Sequence, residues 1–278
     1  MPRRMQHWDD ETDDTLTSHH AANETNEANE TSETSEESPL AAFQHTGWIT
    51  GVDTILKSGK EGTVYRCHAT PGHDRPFFAA KVYCGLAHRT FRNDAIYREG
   101  RGLGYGQHAA REQRAFANRS RFGREIGQAA WIADEYATLA TLHTAGARVP
   151  QPFMRTGNAI LMEYFGDADA AAPLLHTTTL DPAHAPALFR GVLDEIALWL
   201  RHRRIHGDLS AYNMLYWEDR ITVIDFPQAV DPISNPNAAI LLMRDVANVC
   251  RAFRQYGITT DAQAIADHLW FRFRRAEF

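Results

Sequence analysis

The stretch Ile205-His206-Gly207-Asp208-Leu209-Ser210-Ala211-Tyr212-Asn213-Met214-Leu215-Tyr216, followed by Val223-Ile224-Asp225-Phe226, decides how the rest of this chain reads. It sets an Asp, an Asn five residues later and a second Asp twelve beyond that between apolar runs. Phosphoryl transfer from a nucleotide needs that set of groups. One carboxylate accepts the proton of the attacking hydroxyl, while an amide oxygen and a second carboxylate hold magnesium against the phosphates. Hard oxygen donors suit a hard cation that keeps part of its water shell. The plain alternative is a polar turn between a helix and a hairpin, and His-Gly-Asp alone would fit it. The Asn and the second Asp at this spacing favour phosphotransfer.

In this reading Asp208 is the catalytic base, and Asn213 and Asp225 hold the metal, magnesium or manganese in its place. His206 props the loop. Upstream, Lys81 lies in the apolar run Ala79-Ala80-Lys81-Val82, where an ammonium is costly unless paired. Its role would be to contact the α- and β-phosphates of ATP while a helix carboxylate holds it. Glu135 is the best partner and Asp134 the adjacent alternative. The two project about 100° apart around a helix, so only one can face the strand. The turn Lys57-Ser58-Gly59-Lys60-Glu61-Gly62-Thr63-Val64 is a partial glycine-rich loop that can cover phosphates with backbone amides. The louder run Gly100-Arg101-Gly102-Leu103-Gly104-Tyr105-Gly106 has no strand before it and no helix after it, so it supports no dinucleotide fingerprint.

With 278 residues, 44% of them hydrophobic, the chain can bury a sizeable core. The net charge of −6 hides an asymmetry: residues 1–38 hold 11 acidic and 2 basic residues, leaving 24 acidic and 27 basic for the rest. A mildly basic body with an acidic tail suits phosphate handling. Cys67, Cys84 and Cys250 form no C-x-x-C pattern, which excludes a disulfide framework or zinc module and implies reduced thiols in a cytoplasmic protein. No run reaches the length of a membrane span, and no secretory signal opens the chain.

The segment from 1 to about 40 lacks large apolar residues and is expected to be a disordered acidic tail. Strands are expected at 49–57, 63–69 and 77–83. A long Arg- and Gly-rich insert follows at about 85–128, then a helix at 129–143 with Gly146 just past its end. A hairpin at 152–165 and a flexible Ala/Asp/Thr/Pro-rich stretch lead to a helix at 183–203. Short strands near 213–217 and 221–225 and helices near 237–256 and 261–274 complete the chain. The order describes an α+β fold of two lobes: a small β-rich N-lobe with one helix (41–165) and a reduced helical C-lobe (166–278), with the site between them.

Taken together, Ser58-Gly59-Lys60-Glu61-Gly62, Lys81-Val82-Tyr83, Trp131 to Glu135, Val149-Pro150-Gln151-Pro152, Leu161-Met162-Glu163, His206-Gly207-Asp208 through Tyr216 and Ile224-Asp225-Phe226-Pro227-Gln228 resemble the RIO family of atypical serine/threonine protein kinases over about 48–256. The resemblance implies a two-lobed, protein-kinase-like RIO fold that phosphorylates protein hydroxyls, including its own. It implies nucleotide binding by Ser58, Gly59, Lys60, Glu61, Gly62 and Val64, with Lys81 and Glu135, and hinge contacts to adenine from Glu163 and Phe165. It makes Asp208, Asn213, Asp225 and Lys81 the catalytic set. It also implies a helix Asp, Asp245, that anchors the catalytic loop, and a flexible insert in which Thr90 and Ser120 are candidate self-phosphorylation sites. Gly62 departs from the family, which often has Ala there. Pro227 matches a branch that carries an N-terminal winged helix, for which the acidic tail leaves no room.

Two other readings compete. One is a small-molecule kinase resembling the aminoglycoside and choline phosphotransferases; only 53 residues follow Asp225, few for their acceptor pocket. The other is an ATPase switch in ribosome assembly that touches ribosomal particles or RNA through the basic insert. The protein substrate and the oligomeric state are not legible.

Overall fold

The computed structural model describes residues 38–59, 61–84 and 121–278, the side chains of 121–126 excepted. The expected acidic tail, Lys60, Thr90, Ser120 and the glycine run at 100–106 lie outside the described residues.

The N-lobe is a five-stranded antiparallel sheet in the order β1-β2-β3-β5-β4, from β1 (Ile49–Ser58), β2 (Gly62–Ala69), β3 (Phe77–Tyr83), β4 (Pro152–Thr156) and β5 (Ala159–Glu163). Period-two alternation divides its side chains between two cores. Ile49, Cys67, Phe78, Ala80, Ala159 and Leu161 face a short helix, α1 (Pro39–His45), which delivers the fully buried Phe43. That helix was not expected, because the acidic stretch before it masks a single apolar anchor. Ala79, Tyr83, Ile160 and Met162 face the other way, towards α2 (Arg121–Thr144). Lys81, two residues from both Ala79 and Tyr83, shares their face.

Helix α2 begins eight residues before its expected start, inside the segment read as an insert. Gly123, Arg124 and Gly127 interrupt the apolar repeat there and hide the first turns. The helix ends where Gly146, at φ +83, turns back and the Ala147 N–H meets the Leu142 carbonyl at 3.0 Å. At 1.5 Å per residue its 24 residues run about 36 Å. That length places Ile132 in the N-lobe core and Leu139 and Leu142 in the C-lobe core.

The C-lobe packs α3 (Ala185–Arg201), a hairpin of β6 (Met214–Trp217) and β7 (Arg220–Val223), α4 (Ala238–Phe253) and α5 (Ala262–Arg274). Leu188, Val192, Glu195, Ile196 and Trp199 bury one face of α3 at helical spacing. Helix α5 starts at Asp261, whose carboxylate accepts the N–H groups of Gln263 and Ala264 at 2.9 and 3.1 Å, a cap worth about 1 kcal/mol. The stretch expected to be flexible is pinned instead. Leu175 and Leu180 are buried, and the Tyr256 hydroxyl bonds to the Thr178 carbonyl and accepts the Leu180 N–H. No helix among the described residues is long and apolar enough to cross a membrane.

Candidate active site

Between the lobes lies a cleft of about 370 Å³, inside the range of small-ligand sites. Gly59, Glu61, Gly62, Val64, Lys81, Glu135, Glu163, Phe165, Asp208, Asn213 and Asp225 all line it. Ser58 does not: its hydroxyl turns to the far face of the hairpin, 3.1 Å from that of Thr63.

The loop at 206–213 is held from below by α4. Asp245, buried, accepts the N–H groups of Gly207 at 2.7 Å and Leu209 at 2.9 Å. Asn248 donates to the Leu209 carbonyl at 2.9 Å, and Arg244 to that of Gly207. His206 is buried too, its ring tilted against that of Phe226 at 4.5 Å, and Phe226 meets Trp199 edge-on at 5.3 Å. One His206 ring nitrogen donates to the Ile224 carbonyl at 3.2 Å and the other accepts the Asp208 N–H at 3.3 Å. A neutral imidazole therefore ties the Asp208 backbone to the segment that leads from β7 to Asp225. The Asn213 amide donates to the Asp208 carbonyl at 2.9 Å, which leaves its oxygen as an acceptor, and the Asn213 carbonyl receives the Ile224 N–H at 2.9 Å.

Asp225 lies past the end of β7, not within a strand, and takes a left-handed backbone at φ +72. Asp is among the few residues that adopt this region at small cost, and such conformations gather at functional sites. The turn directs its carboxylate at Lys81, whose ammonium bonds both Asp225 and Glu135, the latter at 2.7 Å. Tyr83 closes the set by donating its hydroxyl to the second Glu135 oxygen at 2.6 Å. Asp134 is exposed, so helix phase selects Glu135. Removing one partner from such a buried pair costs about 3–5 kcal/mol.

Burial pulls the Lys81 ammonium down, but the Asp225 and Glu135 carboxylates outweigh it and hold the amine protonated. Burial likewise works to raise the Asp225 carboxyl, yet Lys81 keeps it below the usual range, ready as an anion. Asp208 is raised, by burial first and by the Asp225 charge, against the pull of Arg244. Asp208 and Asp225, which both line the cleft, thus differ in proton affinity.

Burial pushes His206 down to about 4. An unfolded histidine takes its proton near pH 6.5, so its contribution to stability is whole above about 6.5 and is withdrawn as pH falls towards 4. Asp245, pushed up to about 7 by burial, works in the opposite sense: its contribution is whole below about 4 and is lost as pH rises through 7. In a histidine-resolved NMR titration the His206 ring should stay neutral until pH approaches 4. Protonation near 6.5 would contradict the buried, two-bonded geometry.

The hinge is partly committed. The Glu163 N–H donates to the Gln151 carbonyl at 2.8 Å, and the Phe165 carbonyl accepts the Ala172 N–H at 2.9 Å. The Glu163 carboxylate lies 3.4 Å from Arg75 and turns to Gln151. Gly62 answers its departure from the family: a Cβ there would stand 2.3 Å from the Val82 carbonyl oxygen, so this backbone requires glycine. Sequence reasoning missed the apolar walls, Leu56, Ala79, Met162, Leu174, Leu215 and Ile224, and gave Lys57 no role beyond opening the glycine turn. For Ala79 the signal was available, since it lies two residues from Lys81 on the same strand face, and Met162 is its partner across the sheet.

Residues 63–265 match the RIO domain family. The chain is 34% identical over 139 residues to the RIO-type serine/threonine-protein kinase Rio1 of Thermoplasma acidophilum, covering 50% of this chain and 72% of that one. It is 31% identical over 224 residues to the Rio1 of Haloferax volcanii, covering 79% and 69%. The match to human serine/threonine-protein kinase RIO1 is 27% over 213 residues; it spans 76% of this chain but only 35% of that protein. Among solved structures, the Rio2 kinase–ADP/Mg2+–phosphoaspartate complex from Chaetomium thermophilum superposes with a TM-score of 0.59 at 21% identity, covering 82% of this chain and 65% of that one, which is a likeness of fold.

Proposed function

The chain belongs to the RIO domain family, and on that footing we propose that it is an ATP- and magnesium-dependent serine/threonine protein kinase of RIO type. The observation that carries the reading is the convergence of Lys81, Glu135, Asp208, Asn213 and Asp225 on one cleft. Relatives named as serine/threonine-protein kinases, and a fold neighbour crystallised with ADP and Mg2+, support it.

Lys81, held by Glu135, would meet the α- and β-phosphates. The glycine turn at 59–62 would cover them, and the hinge at 163–165 would meet adenine. Asn213 and Asp225 fit a divalent cation. The Asn213 oxygen is left over from its amide bond, and Asp225 is held ionised at the cleft wall. The cation would neutralise charge on the β- and γ-phosphates. Manganese accepts the same oxygen donors. Asp208 takes the proton of the acceptor hydroxyl as its oxygen bonds the γ-phosphorus and the bond to the β-phosphate oxygen breaks, releasing ADP.

Pure protein with Mg2+ and γ-labelled ATP tests the proposal. Label on serine or threonine of the protein itself, or of an added basic protein, is the expected result. Label confined to a sugar or amino alcohol would overturn it in favour of a small-molecule kinase, and release to water alone in favour of an ATPase switch. A cytoplasmic location is part of the proposal, supported by the free thiols Cys67, Cys84 and Cys250. Contact with ribosomal particles or RNA rests on the Arg- and Gly-rich segment, outside the described residues.

A further inference from the structure

Lys57, Val64 and Lys81 are successive direct partners across β1, β2 and β3. Directly opposed residues of an antiparallel sheet point to the same face, so Lys57 stands on the cleft face in one row with Lys81, two strand spacings or about 10 Å away. The reason is a bulge. The register of β1 slips between Ile55 and Lys57, so Leu56 has no partner of its own. Two consecutive side chains, Leu56 and Lys57, then reach the cleft, as a bulge allows. Normal alternation resumes at Ser58, which faces away and meets Thr63.

The charge balance of the cleft favours a second cation at this position. The Lys81 ammonium is already divided between Glu135 and Asp225, whereas a nucleoside triphosphate brings several negative charges. Lys57 is exposed at the cleft wall, and none of the ion pairs among the described residues engages it.

We propose that Lys57 is, among the described residues, a second phosphate-binding cation of this cleft, closing on the terminal phosphates of the nucleotide from the β1 side while Lys81 holds the inner ones. The proposal rests on the phosphotransfer reading above. A compact ammonium on a flexible stem suits a phosphate that must be gripped and then released with each transfer. Its place on the bulged edge strand lets it move without disturbing the sheet.

The test is calorimetric titration of the full chain, with Mg2+ present, by a non-hydrolysable ATP analogue, ADP and adenosine. Lys57→Met should weaken the ATP analogue about tenfold, the size of one charge-assisted contact, weaken ADP less and leave adenosine unchanged. Lys57→Arg should restore most of the loss. Equal weakening of all three ligands would overturn the proposal by marking a structural role, and so would an unchanged affinity for the ATP analogue. Asp225→Asn serves as the control. If it leaves magnesium-dependent binding intact, the phosphotransfer reading fails, whatever Lys57→Met does.

Discussion

Asp208→Asn is expected to lower the rate of phosphoryl transfer by about 10²- to 10⁴-fold while leaving nucleotide affinity unchanged. The amide keeps the shape of the side chain and spares the loop, whose hold comes from Asp245, Asn248 and the neutral His206 and not from the Asp208 carboxylate. What disappears is a proton acceptor in the cleft. Single-turnover measurement with pre-bound ATP separates that loss from binding. Because burial and the Asp225 charge raise the Asp208 carboxyl, the acid limb of the wild-type rate profile should lie above the ordinary carboxylate range. Transfer at the normal rate by Asp208→Asn would remove Asp208 as the base.

Asp225→Asn should abolish the magnesium dependence of nucleotide binding, with affinity falling about 100-fold or more when the anionic ligand is lost. Asn is the informative replacement, since it tolerates the left-handed backbone at φ +72 and keeps the fold out of the comparison. Lys81 keeps Glu135 as its partner, so the ammonium stays compensated. Titrating ADP with and without Mg2+ reads the effect directly. Should magnesium enhance binding to the variant as it does to the parent protein, Asp225 is not its ligand.

Much of this candidate site is legible in the sequence. Asp208, Asn213 and Asp225 announce themselves because their chemistry is rare in such an arrangement, and Lys81 because an ammonium inside an apolar strand needs a reason. The helix pattern at 129–143 was visible, but not the turns from Arg121, where glycines interrupt the periodicity. The short α1 was hidden because one buried Phe43 gives no period at all. The walls of the cleft were hidden for another reason: Leu174, Leu215 and Ile224 are ordinary core residues whose position beside Asp225 depends on how separate segments pack.

Residue types and their order supply the inventory: two carboxylates, an amide, a lysine and a glycine turn, in an order that admits few folds. Tertiary structure decided which groups meet. Glu135 and not Asp134 holds Lys81 because the phase of α2 against the sheet turns one carboxylate inward and the other to solvent. Lys57 joins the cleft while Ser58 leaves it because the bulge at Leu56 resets the alternation of β1 there. Asp225 reaches Lys81 through a backbone turn that neither residue specifies alone. Residue type is local information. Helix phase, strand register and backbone handedness are set by what packs against them, and that is where this site is made.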